Sequence, residues 1–184
     1  MNRLKKIIKY FGILFILTIL FRGFLYRNLV NYSKIGIRNN IILTNKNLIE
    51  EIDKKIKEKS LTIEEIIELS NDITSAELEF TFNKVSSNPN IIYGSKKANC
   101  IGYSSLFNSI GNYIIGKQKL TDKYEFTHLV GKLDVFGLDI HNLFSSSFFK
   151  DHDFNEIKLK QHGENKFVDP SMRDYLRIEY VISE

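Results

Sequence analysis

The stretch KKANCIGYSSLF, residues 96–107, contains the one cysteine of this 184-residue sequence, Cys100. The residues before Cys100 are polar and typical of a loop, and those after it carry apolar side chains at helical spacing as far as Ile115. Cys100 is therefore predicted to begin a core helix. Because N–H groups at a helix start stabilise a thiolate, the reactive form of cysteine, the stretch places a candidate nucleophile there.

The rest of the chain predicts helices first and strands second. Helices are predicted over Asn45–Lys59 and, from a capping box at Thr62-Ile63-Glu64-Glu65, over Thr62–Thr74. Strands are predicted over Leu78–Phe82, Tyr124–Phe136, His152–Lys160, Lys166–Asp169 and Tyr175–Ile182, where apolar and polar residues alternate. For Leu78–Phe82, a continuation of the preceding helix is the alternative. This order indicates an α+β fold with an antiparallel sheet.

Composition and charge limit the classes of function. Apolar residues make up 43% and charged residues 26% of the chain, which is ordinary for one folded domain. Residues 1–38 hold eight of the 26 basic residues and no acidic residue, which leaves 18 basic and 22 acidic residues in the remainder. A nucleic-acid binder would carry its basic charge on the folded domain, so we expect no nucleic-acid partner.

The N-terminus combines basic charge with an apolar run. A basic cluster lies at Arg3–Lys9, and the apolar run Tyr10–Phe21 follows it. The run reaches the length of a membrane span when counted over Ile7–Tyr26, with the flanking cations at the two interfaces. A cleaved signal peptide and a buried core helix are the alternatives, but no small-residue cleavage site follows.

These features predict three segments. Residues 1–30 form a membrane anchor, residues 31–44 a connector with some strand character, and residues 45–184 the folded domain. The dense basic cluster at the start of the chain favours an N-terminus inside the cell, with the domain on the extracytoplasmic side of the cell membrane.

A cysteine nucleophile needs a base, and the base needs a group that orients it. His152 begins one predicted strand, and Asp169 ends the strand that returns beside it after a short turn. Pairing of the two strands would bring these ends together. His162 is predicted to be a solvated turn residue, His128 a packed residue within a strand, and His141 has no evident partner.

Two other interpretations of these residues remain open. A lone cysteine is most often a buried apolar thiol. A metal ion held by His141, Asp151, His152 and Asp153 is a further hypothesis, although their spacing matches no strong ligand pattern.

Three motifs together resemble the transglutaminase-like superfamily. They are Asn99-Cys100-Ile101-Gly102-Tyr103, His152-Asp153-Phe154-Asn155-Glu156-Ile157 and Phe167-Val168-Asp169-Pro170-Ser171, in the family's order and at similar spacing. The resemblance spans roughly residues 91–171 and implies a papain-like core with the cysteine at the start of a helix. The chain departs from the family at Ala98, often glycine there, and at Phe154, often tryptophan, and it lacks a Gly-x-Pro-x-Arg run.

The resemblance also implies roles for individual residues. Cys100 would be the nucleophile, His152 the base and later the acid, and Asp169 the group that orients His152. The Cys100 N–H would bind the oxyanion, with Tyr93 or Asn99 as a second donor or a wall of the substrate site. No metal or organic cofactor is needed.

We therefore expect a membrane-anchored thiol enzyme that acts on amide or peptide bonds of a protein or peptide substrate, with hydrolysis favoured over transfer. The departures from the family motivate an alternative, a catalytically inactive binding or assembly module tethered to the membrane.

Overall fold

The computed structural model describes residues 2–57, 59–143, 149–161 and 163–183, so His162 lies outside the described residues. The helices are α1 (Asn2–Leu20), α2 (Arg22–Leu29), α3 (Lys46–Ile56), α4 (Ile63–Glu77), α5 (Pro89–Ser95), α6 (Cys100–Lys117) and α7 (Pro170–Leu176). The strands are β1 (Val30–Ile37), β2 (Glu79–Phe80), β3 (Lys97–Ala98), β4 (Tyr124–Val135), β5 (Leu138–Asp139), β6 (His152–Leu159) and β7 (Glu164–Val168). A 3-10 turn covers Ile140–Leu143.

The main sheet is antiparallel, with strand order β1-β4-β6-β7 and β5 paired to the end of β4. β2 and β3 form a separate, short parallel pair that leads into α6. The predicted α+β class with an antiparallel sheet is confirmed.

Helix α6 forms the centre of the core. It packs against α4 on one side and against β4 and β6 on the other, and its apolar residues from Leu106 to Ile114 are largely buried. The helix and the sheet approach closely at Gly111, where an added Cβ would lie 2.5 Å from the ring of Phe126. This packing fixes the start of α6 relative to β6.

The predicted N-terminal boundaries of two helices follow from their caps. The Thr62 side chain accepts from the Glu65 N–H and the Glu65 carboxylate accepts from the Thr62 N–H, which confirms the predicted capping box of α4. Asn45 caps α3, because its side chain accepts a hydrogen bond from the Leu48 N–H. The predicted strand over Leu78–Phe82 is shorter in the structure, where β2 covers two residues.

The prediction of a C-terminal strand over Tyr175–Ile182 is wrong. Helix α7 occupies Pro170–Leu176, and isolated bridges follow it within the described residues. The reason is local, because the Asp169 side chain accepts N–H groups of the first turn and Pro170 occupies the first helical position.

The segment 31–44, predicted as a connector, carries most of β1. β1 pairs along β4, so this segment is part of the sheet. Tyr32 is 1% exposed and packs with Leu129, Leu133 and Phe154. β4 separates this segment from β6 in the sheet, but the Tyr32 side chain reaches across to the ring of Phe154 on β6, beside the candidate site.

The two N-terminal helices carry exposed apolar side chains, such as Phe11 at 69% and Leu20 at 68%. In the described part of the chain, no helix taken alone is long and apolar enough to cross a membrane. α1 and α2 pass that test as a pair, bent by 73° between Leu20 and Arg22. Arg22 Nε donates a hydrogen bond of 2.8 Å to the Leu176 carbonyl, at the end of α7.

Candidate active site

Cys100 is the first residue of α6, and it is 6% exposed. Asn99 caps the helix, with its Oδ1 accepting from the Gly102 N–H at 3.3 Å. A Cβ at Gly102 would lie 2.7 Å from the Cβ of Ala98, so the turn from β3 into α6 is tight and requires glycine. The N–H of Cys100 has no acceptor within the helix, which leaves it for a ligand at the helix start.

His152 and Asp169 come together through the pairing of β6 with β7. His152 begins β6 and Asp169 follows the last residue of β7. His152 Nε2 donates to Asp169 Oδ2 at 2.6 Å, and the two side chains are 12% and 0% exposed. The carboxylate therefore fixes the orientation of the imidazole.

The side chains of Cys100 and His152 are near enough for the thiol to contribute to the pKa of the imidazole. Because Nε2 is held by Asp169, the other ring nitrogen, Nδ1, is left for the sulfur. Burial alone lowers the pKa of His152, but the charge of Asp169, the hydrogen bond to Asp169 and the Cys100 thiol together outweigh it, so the pKa lies well above its ordinary value. The ring can thus take the thiol proton and hold it.

Asp169 is fully buried and heavily hydrogen bonded. Its Oδ1 accepts from the N–H and Oγ of Ser171 and from the Met172 N–H, at 2.7–3.1 Å. Burial raises the pKa of Asp169, but the charge of His152 and hydrogen bonds from His152, Ser171 and Tyr32 lower it below its ordinary value. Asp169 is therefore held as a carboxylate while it also caps α7.

Tyr32 is a supporting residue that the sequence analysis missed. Its hydroxyl donates to Asp169 Oδ2 at 2.8 Å, and the hydroxyls of Tyr26 and Tyr32 lie 2.6 Å apart. Burial and the Asp169 charge raise the pKa of Tyr32 well above 10, so this hydroxyl remains a donor. The residues are 137 positions apart in the chain, and no local pattern signals the contact.

A second ion group, around the buried Asp153 beside His152 in β6, was also missed. Arg38 donates to both oxygens of Asp153, and His128 Nε2 donates to Asp153 Oδ2 at 2.7 Å. Burial raises the pKa of Asp153, whereas His128 and Arg38 lower it below its ordinary value. The hydrogen bond to Asp153 is the main cause that raises the pKa of Arg38.

Hydrogen bonds join the first turns of α6 to β6. Ser104 Oγ donates to the Asp153 carbonyl at 2.9 Å, and Asn155 Nδ2 donates to the Ser104 carbonyl at 3.2 Å. All three residues are 0% exposed. These bonds lock the helix that carries Cys100 to the strand that carries His152.

A cleft of about 560 Å³ opens over Cys100 and His152. Its apolar lining consists of Phe80, Phe82, Leu133, Ile140, Phe149, Met172, Tyr175 and Leu176. Its polar lining consists of Cys100, His141, Asp151, His152 and Ser171. Cys100 thus lines a cavity of the size that binds small organic groups, with walls that are largely apolar.

The side chains of Tyr93 and Asn99 are bonded to other groups. The Tyr93 hydroxyl donates to Glu51 at 3.2 Å, and the Asn99 side chain caps α6. Neither residue is among the described residues that line the cleft. The structure therefore brings together Cys100, His152 and Asp169, but not these two.

Three of the four residues of the metal hypothesis, His141, His152 and Asp153, are held by other partners. The Leu133 N–H donates to His141 Nε2 at 2.9 Å, and His141 Nδ1 donates to the Phe149 carbonyl at 2.6 Å. Both ring nitrogens are thus occupied. Asp153 is occupied by Arg38 and His128, and the described residues contain no group of three or more side chains placed to hold a metal ion.

No family model, curated protein or solved structure matches this chain.

Proposed function

We propose that the protein is a membrane-anchored thiol hydrolase that cleaves amide or peptide bonds through Cys100, His152 and Asp169. The observation that carries the proposal is that Cys100, at the start of α6, lines the same cleft as His152, whose ring is hydrogen bonded to the buried Asp169. A helix that begins at the cysteine and packs on the strand of the histidine is also what the transglutaminase-like resemblance implies.

In the first half of the reaction, His152 Nδ1 takes the proton of Cys100, and Sγ attacks the substrate carbonyl carbon. The oxyanion that forms accepts a hydrogen bond from the Cys100 N–H, at the positive end of the α6 dipole. The carbon–nitrogen bond then breaks as His152 returns the proton to the leaving amine. Asp169 supports the charged ring throughout and keeps Nδ1 directed at the sulfur.

In the second half, water hydrolyses the thioester. His152 takes a proton from the water, whose oxygen attacks the acyl carbon, and the proton returns to the sulfur as the carbon–sulfur bond breaks. The products are a carboxylic acid and the free thiol. The scheme uses three side chains of this chain, the backbone N–H of Cys100 and a water molecule.

The anchor is the second part of the proposal. The apolar side chains of α1 are exposed, the basic cluster precedes them, and the bent pair α1–α2 reaches the length of a span. We place α1 in the cell membrane and the domain that follows on the extracytoplasmic side.

An inactive binding module is the alternative function. It is favoured by the small exposure of Cys100, 6%, which is typical of a packed thiol. The position of Cys100 in the lining of the cleft, together with His152, weighs against it.

Alkylation of the full chain by iodoacetamide tests the proposal. Because Cys100 is the one cysteine, each label seen by intact-mass spectrometry reports this thiol. We expect the folded protein to react at least tenfold faster than the urea-unfolded chain at the same pH, and His152→Gln to remove the acceleration. A Cys100→Ser chain provides the blank, and circular dichroism shows whether each variant folds. Equal rates for folded and unfolded protein, or for wild type and a folded His152→Gln, would establish the inactive module instead.

A further inference from the structure

We propose that the cleft beside Cys100 takes the aliphatic chain of a fatty-acyl amide or ester held in the bilayer. The acyl group transferred to the sulfur is then a lipid chain, not a peptide residue. This inference rests on the proposed function and names the substrate class of the same site.

The first support is the chemistry of the cleft. Three of the five polar residues in its described lining are hydrogen bonded to other groups of the protein: His152 and Ser171 to Asp169, and both ring nitrogens of His141 to the backbone. A peptide would bring backbone N–H and C=O groups that need partners. An aliphatic chain brings no such polar groups, and each methylene that leaves water adds favourable free energy of binding.

The second support is the size and make-up of the walls. The volume of about 560 Å³ lies within the range of sites that enclose small organic ligands. Aromatic side chains and Met172 form much of the lining, and a flexible thioether adapts to a chain of variable conformation.

The third support is the position of the cleft relative to α1. Leu176 lines the cleft, and its carbonyl accepts the hydrogen bond from Arg22, which lies two residues after the end of α1. Apolar side chains at the cleft are exposed to solvent, with Phe82 at 68%, Tyr175 at 59% and Leu176 at 46%. With α1 in the bilayer, this apolar rim lies at the membrane surface, where a lipid chain can enter without crossing water.

The reaction balances in the same two steps. Sγ bonds to the acyl carbon, the carbon–nitrogen or carbon–oxygen bond breaks, and the leaving amine or alcohol takes the proton that His152 removed from the thiol. Water then cleaves the thioester, giving a fatty acid and restoring the thiol.

Alkyl chloromethyl ketones test the inference, because their carbonyl carries the chain on the acyl side. The full chain in one fixed nonionic detergent is treated with butyl, octyl and dodecyl probes, and with acetyl-Leu-Phe chloromethyl ketone as the peptide arm. Saturation kinetics by intact mass separate the binding constant KI from the reaction rate constant kinact. Each buried methylene is worth about fourfold in binding, so we expect KI to fall at least tenfold from butyl to octyl, with kinact little changed.

Two variants show where the chain binds. Phe82→Asp puts a charge on the rim and is expected to raise KI for the octyl probe at least tenfold. Ile91→Asp, on α5 and outside the described lining of the cleft, is a matched control at similar exposure, 58%, and is expected to leave KI unchanged. Both variants are measured in the same detergent with the same probe, so partition of the probe into micelles cancels when their KI values are compared.

The possible failures are distinguishable. The lipid inference is overturned if KI does not depend on chain length, or if the two variants change KI equally. In either case, a kinact that depends on His152 still supports the thiol hydrolase. Tighter binding of the peptide arm than of both longer alkyl probes overturns it in favour of a peptide substrate. A kinact independent of His152 overturns the proposed function, and the KI series still decides what the cleft binds.

Discussion

Tyr32→Phe removes one hydroxyl from the support of the site and keeps the ring. The ring is 1% exposed and packs 5.0 Å from that of Phe154, so phenylalanine fits the same space. The lost hydrogen bond, of 2.8 Å, goes to a carboxylate that is 0% exposed. Bonds to buried charged groups are worth about 1.5–3 kcal/mol, so we expect the free energy of unfolding to fall by about 2 kcal/mol at pH 7.

The loss depends on pH in a defined direction. The pKa of Asp169 is below its ordinary value of 3.8 in the folded protein, and Tyr32 is one cause. The stabilisation by the carboxylate is therefore present above about pH 4 and is lost as the pH falls through the folded pKa. Because Tyr32→Phe brings that pKa closer to 3.8, its cost should be largest at neutral pH and should shrink in acid.

Urea unfolding of the full chain in detergent, followed by circular dichroism from pH 7 downwards, measures this cost. Tyr26→Phe is the matched control, because its hydroxyl is bonded to Tyr32 and does not reach Asp169. It should cost about 1 kcal/mol or less. The reasoning is refuted if Tyr32→Phe costs no more than Tyr26→Phe, or if its cost is the same at every pH.

Three further predictions concern the site and its scaffold. Asp169→Asn can still cap α7 but no longer supports a charged ring, so alkylation of Cys100 should slow by about 10²-fold or more with the helix content kept. By NMR, His152 should titrate above its ordinary pKa of 6.5. The free energy of unfolding that His152 adds, relative to His152→Gln, should be complete below pH 6.5 and should be lost as the pH rises through the folded pKa. A difference in the free energy of unfolding that grows with pH would contradict this. Gly111→Ala should destabilise by about 1–3 kcal/mol because its Cβ meets the Phe126 ring at 2.5 Å. Gly116→Ala on the same helix, with no atom within 4 Å of the new Cβ, should stabilise by about 0.5–1 kcal/mol in the same unfolding assay.

Local sequence signals predicted the parts of the fold that depend on neighbouring residues. The capping box at Thr62 fixed the start of α4, and the periodicity after Cys100 predicted α6. Alternation of apolar and polar residues likewise predicted the strand that begins at His152 and the strand that ends before Pro170. The same kind of signal misled at residues 175–182, because alternation there was given more weight than the helix start at Asp169 and Pro170.

The remaining features depend on contacts between distant parts of the chain. Tyr32 reaches Asp169 across 137 residues and Arg38 reaches Asp153 across 115, so nothing in the local pattern around either tyrosine or arginine indicates the partner. The cleft needs β2, β4, β6 and α7 in place at once. Alternation and spacing predict single elements, but not which side chains line a cavity between them.

The most direct test of the central claim is to trap an acyl group on Cys100. The full chain is mixed with p-nitrophenyl acetate, quenched in acid and analysed by intact and peptide mass spectrometry. We predict one acetyl group on Cys100 of the wild type, removed with time by water, and its formation slowed at least a hundredfold in a folded His152→Gln. An acetyl group on other residues alone, or acetylation of Cys100 at the same rate in both proteins, would contradict a nucleophile activated by His152.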